Sequence, residues 1–271
     1  MALGSDLVLG SYSLAGAPAP QRYAAAAAAG FTGASALWHE VTARRASGDS
    51  LAALKVEFTN AGLTAPQLEI ISLPGAAGLA AFEAGARDIA ETAAALGCEV
   101  VNAAALDPTA TEDDLVQGLG LLARACDRLG LSCGIEFVPF LTRAPDLACA
   151  LRIVRGVGLS NAGLIMDSLH FFRAGAEWAA LGDLRPGEVM ALQINDGPAE
   201  RPNDDYHAEA MGMRRLPGDG DFDLDRFLKV LIERGVTVPL TAEVVSKALD
   251  ALPAAEAARR MAEATRKLPL A

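Results

Sequence analysis

Short apolar runs alternate with longer segments in which Ala and Leu recur at helical spacing, from one end of the chain to the other. The runs predict strands over 7–12, 33–38, 67–72, 100–104, 132–137, 163–167, 189–195 and 240–245. Between them, the periodic segments predict helices near 18–29, 50–61, 78–96, 112–129, 145–155, 176–181, 223–234 and 253–267. The punctuation agrees. Thr111 followed by Asp113 and Asp114 reads as an N-cap with an acidic first turn, and Gly62, Gly97, Gly130 and Gly235 each follow a helical stretch as C-terminal caps do. Predicted strand ends recur about every 26–34 residues, apart from one interval of about 50. Eight strands and eight helices in 271 residues predict an α/β fold, a (β/α)8 TIM barrel forming one domain over 1–271, with a long loop insert near 197–222. A doubly wound sheet would offer a glycine fingerprint after its first strand, whereas Ser11-Tyr12-Ser13-Leu14-Ala15-Gly16 stands there.

Composition narrows the classes. The chain is 52% hydrophobic and has a formal net charge of -11, so it has no basic excess with which to displace phosphate counterions. A nucleic-acid partner is not expected. No apolar stretch approaches the ~20 residues that span a bilayer, and the opening residues lack a basic-then-apolar leader, so a cytoplasmic location and no membrane partner are expected. Four cysteines, Cys98, Cys126, Cys133 and Cys149, show no metal-finger spacing and read as buried free thiols.

In a barrel of this kind the chemistry sits at the C-terminal ends of the strands. Polar residues inside apolar runs there need a reason. Glu136, Asp167 and Glu243 each interrupt such a run. An ionised carboxylate in that setting is costly unless it meets a cation, a metal or several donors. Taken singly, each could be an ion-pair partner, but three at one end of a barrel, with no matching excess of inward Lys or Arg expected, favour a divalent cation. Gln193 stands at the same depth on the intervening strand, and its amide oxygen is a candidate fourth ligand. Three carboxylates and an amide make an all-oxygen site, which favours one Mn²⁺ or Mg²⁺ over Zn²⁺.

Ile135-Glu136-Phe137-Val138-Pro139, Asp167-x-x-His170, Gln193-Ile194-Asn195-Asp196, Arg215-Leu216-Pro217-Gly218-Asp219-Gly220 and Glu243-Val244 together resemble the xylose-isomerase-like TIM barrels, the sugar phosphate isomerase/epimerase superfamily. The resemblance runs over essentially the whole chain. It implies metal ligation by Glu136, Asp167, Gln193 and Glu243, with His170 touching substrate. Many members carry His where Gln193 stands. Ketose epimerases tend to carry a second Glu where this chain has Thr142. The superfamily's abasic-site endonucleases resemble clusters of His and Asp around several zincs, and three histidines with a charge of -11 do not suit that branch.

His170 is also the side-chain type best suited to proton transfer near neutral pH. His39, after Trp38, is expected on the catalytic rim as a substrate contact, and His207 falls in the long insert. The insert also carries Arg201, Arg214 and Arg215. An arginine there could clamp a carboxylate or phosphate. Arg215 is preferred over Arg214 because it matches the family motif.

The expected activity is a metal-dependent isomerase or epimerase of carbohydrate metabolism, acting on a keto-sugar or related polyol. Glu136, Glu243 and His170 would move protons through an enediolate. A dehydratase or lyase acting on a cyclic or sugar-derived hydroxyketone is the first alternative, and a non-catalytic binding or scaffold subunit is the second. The expected partner is a small-molecule sugar or hydroxyketone, and the sequence leaves room for a homo-oligomer.

Overall fold

The structure is a computed structural model describing residue 3, residues 6–141, 143–202 and 204–270. Thr142 lies outside the described residues. Nine parallel strand segments form one sheet: β1 (Leu7–Leu9), β2 (Gly33–Ala34), β3 (Ala36–Leu37), β4 (Gln67–Ser72), β5 (Val100–Ala104), β6 (Ser132–Glu136), β7 (Ala162–Asp167), β8 (Val189–Ile194) and β9 (Leu240–Ala242). Their spatial order is β2-β1-β9-β8-β7-β6-β5-β4-β3. The first and last segments in that order, β2 and β3, are two halves of one strand, divided at Ser35. The sheet therefore curls round into an eight-position TIM barrel, nearly closed, as the spacing predicts.

Helices cover the barrel by burying the stripe that their periodicity marks. In Leu224–Glu233 the buried residues are Leu224, Phe227, Leu228 and Leu231, an i, i+3, i+4, i+7 set facing the strands. Each such side chain contributes about 1.5–3 kcal/mol by leaving water. Phe227 packs on Phe171 with ring centroids 4.9 Å apart, under the end of β7. The expected caps are present: Thr111 and Asp114 form a reciprocal capping box, and Gly97 ends its helix at φ +91°. All four cysteines are free and buried.

The structure adds helices that the apolar pattern does not announce. Trp38–Ala46 buries only Val41 and is tied down by charge instead: Arg44 pairs with Asp49 and Glu57, and Arg45 with Asp88. Ser168–Arg173 and Tyr206–Ala210 are single short turns whose sequence is too brief to show a period. Several strands also stop short of their predicted ends. β1 ends at Leu9 and β9 at Ala242, although the Gly10 N–H still donates to Ala242 O and the Glu243 N–H to Ile194 O.

Candidate active site at the barrel mouth

Glu136 is the last residue of β6, in register with Ala104 and Ile165. It is buried, and Oε2 accepts a hydrogen bond from Asn102 Nδ2 at 2.9 Å. Asp167 ends β7 and caps the helix that follows: Oδ1 accepts from Leu169 N at 2.7 Å and from Asn195 Nδ2 at 3.0 Å. Gln193 lies in register with both Asp167 and Thr241. Glu243 follows β9 directly, and its backbone N–H donates to Ile194 O. Space for it comes from Gly10, where a β-carbon would lie 2.8 Å from the Glu243 side chain. The β ladder therefore carries all four of the predicted oxygen donors to the same end of the barrel.

His170 sits one turn after Asp167, and its Nε2 lies 3.3 Å from Glu136 Oε1. Ligand atoms of Glu136, Asp167 and His170 all fall within 4.8 Å of one another. Tyr206, from the insert, reaches the other imidazole nitrogen, with 2.7 Å between its hydroxyl and Nδ1.

The two arginines differ from expectation. Arg214 is the buried one, 5% exposed, and its Nη1 donates to Asp167 Oδ2 at 2.6 Å and to Glu243 Oε2 at 3.0 Å. Arg215 is exposed and reaches only Asp219 O at 3.4 Å and Asp221 at 4.0 Å. The reason is the backbone that carries them. Residues 213–215 are extended, bridging Asp196 on one side and Ser246 on the other, and successive side chains of extended backbone point opposite ways. The barrel mouth thus takes as its inward arginine Arg214, the less favoured of the two candidates from the sequence.

The electrostatics follow from burial. Burial disfavours ionisation of Asp167, but Arg214, His170 and the Asn195 amide outweigh it and hold the carboxyl down at about 2. Burial pushes Glu243 well above the usual carboxylate range, with the charges of Glu69, Asp167 and Glu136 adding to it and Arg214 only partly offsetting. Glu69 in β4 is raised to about 7, by burial first and then by Glu136, although the Ser11 hydroxyl bonds its Oε2 at 2.5 Å. Sequence reasoning missed Glu69, although it interrupts Leu68 and Ile70 much as Glu136 interrupts its own run. It also missed Tyr206 and Asn102.

A cavity of about 300 Å³ opens above these groups. Tyr12, Glu136, His170, His207, Arg214 and Glu243 give it polar points. Ile70, Ala104, Leu106, Val138, Phe140 and Leu141 form an apolar wall. His39 is exposed at the start of Trp38–Ala46, its ring 6.3 Å from that of Tyr12, outside the cavity lining.

Glu136, Asp167 and His170 form a group that could hold a divalent cation, with the Gln193 amide nearby as a further donor. Gln193 Nε2 donates to Glu69 Oε1 at 3.4 Å, which leaves its Oε1 buried with no hydrogen-bond partner among the described residues. Four buried carboxylates, Glu69, Glu136, Asp167 and Glu243, lie in this group with Gln193, and Arg214 bridges two of them, Asp167 and Glu243.

A family model described as xylose isomerase-like TIM barrel matches residues 23–268. The chain belongs to that family. Among relatives of this xylose isomerase-like barrel is a protein of Streptomyces coelicolor named "Putative hydroxypyruvate isomerase", 28% identical over 244 residues, 80% of this chain and 82% of the relative. The 3-dehydroshikimate dehydratase of Pseudomonas aeruginosa is 32% identical over 159 residues, 58% of this chain but 24% of that longer protein. Among solved structures, the IOLI protein with a bound zinc atom superposes with a TM-score of 0.83 at 20% identity, covering 96% of each chain. Among the described residues, no helix is long and apolar enough to cross a membrane.

Proposed function

We propose that this barrel is a divalent-metal-dependent isomerase or epimerase acting on a small keto-sugar or related polyol through an enediolate. The observation that carries the reading is the convergence of Glu136, His170 and Glu243 on one cavity, with Asp167 and the unpartnered Gln193 oxygen beside them. Glu136, Asp167, Gln193 and Glu243 would hold the ion, Mn²⁺ or Mg²⁺ in preference to Zn²⁺. When bound, it would polarise adjacent carbonyl and hydroxyl oxygens and so acidify the carbon-bound proton.

This chain's own groups supply the proton transfers. Glu243, which lines the cavity, removes a proton from the carbon next to the carbonyl. Glu136, approaching from a different strand, takes the proton of the substrate hydroxyl that becomes the new carbonyl and delivers it to the neighbouring carbon, while the proton held by Glu243 is released to solvent. His170 presents Nε2 to a substrate oxygen as that oxygen gains or loses charge. Arg214, which lines the cavity, would meet an anionic substrate group, whereas Arg215 and His39 are exposed and outside its lining. The apolar wall excludes water from the enediolate.

Dehydration is the second reading, and a specific observation favours it. The apolar residues among the cavity lining, Ile70, Ala104, Leu106, Val138, Phe140 and Leu141, suit the face of a carbon ring better than a fully hydroxylated chain. The same first step, followed by loss of a β-hydroxyl with His170 as general acid, makes a dehydratase. The experiment is a screen in D₂O with Mn²⁺ or Mg²⁺ of hydroxypyruvate, inososes, keto-sugars and 3-dehydroshikimate. Product of unchanged mass apart from an exchanged hydrogen supports isomerisation, and loss of water supports the second reading. Neither metal uptake nor hydrogen exchange with any of them would refute both.

A further inference from the structure

We propose that Tyr206 is a positioning residue: it donates its phenolic hydrogen to His170 Nδ1 and so places the single hydrogen of the neutral imidazole on Nε2, toward Glu136 and the cavity. The inference rests on the reading of His170 as the group that acts on a substrate oxygen. Two distances carry it. Tyr206 Oη and His170 Nδ1 are 2.7 Å apart, and His170 Nε2 is 3.3 Å from Glu136 Oε1.

A neutral imidazole has one N–H and one lone pair. A lone pair on Nε2 would face a carboxylate oxygen that has only lone pairs to offer. A hydrogen on Nε2 meets that oxygen favourably, and Nδ1 must then accept. Tyr206 can supply the donor. Burial pushes its phenol far above its ordinary range, so it keeps its hydrogen. Which ring nitrogen faces a reacting group is set by the bond at the other.

The surroundings fix the tyrosine itself. Phe140 packs edge-on against both rings, with centroids 5.2 Å from Tyr206 and 6.5 Å from His170. Leu169, Tyr206 and Ala210 form a small apolar cluster of their own. Three residues on from Tyr206, Glu209 is clamped by Arg173, whose Nε donates to both carboxylate oxygens at 3.0 Å. The insert thereby delivers the hydroxyl to one nitrogen with little freedom to leave it.

The consequence is chemical. With its hydrogen on Nε2, His170 is a ready proton donor to a substrate oxygen and a poor metal ligand at that atom. The reverse tautomer, with hydrogen on Nδ1 and a lone pair on Nε2, would make His170 a ligand beside Glu136 and Asp167.

The test is histidine ¹⁵N NMR on the full chain, with and without Mg²⁺, where imidazole is neutral. The chain has only three histidines, and His170→Asn assigns the signal. The expected result is a protonated Nε2 and a bare Nδ1 in the wild type, with Tyr206→Phe converting this to a mixture. Should Tyr206→Phe melt early, 3-fluorotyrosine labelling serves instead. It strengthens the phenol as a donor and should move the His170 Nδ1 resonance. A wild-type Nδ1–H tautomer overturns the proposal, as does an unchanged tautomer in Tyr206→Phe or an unmoved Nδ1 signal on fluorination. A failure of turnover with the expected tautomer intact counts against the reading of the reaction and not against Tyr206.

Discussion

Replacing Arg214 with Met removes the cation that bridges Asp167 and Glu243 while keeping much of the side-chain length. Both carboxylates are buried, and Glu136 and Glu69 lie close enough for their charges to be felt at Glu243. Removing one partner of a buried ion pair costs about 3–5 kcal/mol, because the other charge is left without compensation. For a chain of this size each kcal/mol lowers the melting temperature by about 2–4 °C, so metal-free Arg214→Met should melt about 6–20 °C below wild type. A divalent cation seated among the same oxygens would replace the lost charge. At a hundredfold excess over Kd, binding contributes about 2.7 kcal/mol. Arg214→Met should therefore gain more from Mn²⁺ or Mg²⁺ than wild type gains, since its oxygens no longer have a tethered competitor. The assay is a thermal melt with chelator and then with titrated metal, paired with calorimetric metal titration. Arg214→Lys retains charge without the planar fork and should fall between the two. A metal-free Arg214→Met within about 2 °C of wild type, with unaltered metal affinity, would refute the reasoning, since less than one kcal/mol would then depend on the contact.

Three other expectations follow from the same geometry. Gln193→Leu should weaken divalent-metal binding in a calorimetric titration while leaving the barrel folded, and Gln193→His should bind with a shift toward Zn²⁺, which suits imidazole. Wild-type affinity in the Leu variant would make Gln193 purely structural. Glu243→Gln keeps size and an oxygen but loses the base, so turnover and substrate deuterium exchange followed by NMR should drop about 10²–10⁴-fold with a native circular dichroism spectrum. Exchange at the wild-type rate would move the base to Glu136. Asp196→Ala removes the carboxylate that accepts from the backbone N–H groups of Gly197, Gly218 and Phe222, tying the two ends of the insert together. Its cost should be about 3 kcal/mol, read by calorimetry as a melting temperature about 6–12 °C lower.

The barrel was legible because its strands are covered on both faces, so they stand out as short apolar runs at a regular interval. Glu136, Asp167 and Glu243 were legible for the same reason, as charges inside those runs. Glu69 carries that signal too, but it lies mid-strand in the sequence and only the curvature of the barrel brings it beside Gln193. Trp38–Ala46 was hidden because ion pairs, not an apolar stripe, hold it. The choice between Arg214 and Arg215 depends on which way an extended trio of residues presents its side chains, and that depends on bridges to Asp196 and Ser246 far away in sequence. No local pattern encodes it.

The site thus has two sources with different physical support. The oxygen donors ride on or directly follow β6 to β9, and moving any of them means breaking sheet hydrogen bonds. Tyr206 and Arg214 ride on an insert held by a few discrete ties: the Asp196 carboxylate at its ends, the Arg173–Glu209 pair in its middle, and the backbone bonds of residues 212–215 to β-strand ends. Substitutions in the insert can therefore change the partner of His170 and the charge facing Asp167 and Glu243 without touching the barrel. Under the proposed reaction, a strand-borne donor set would keep the enolising step fixed, while residues that the ladder does not constrain would set the fate of the intermediate, proton return or loss of hydroxide. In this chain those residues are Tyr206, hydrogen-bonded to His170 Nδ1, and Arg214, which shares the carboxylates of Asp167 and Glu243.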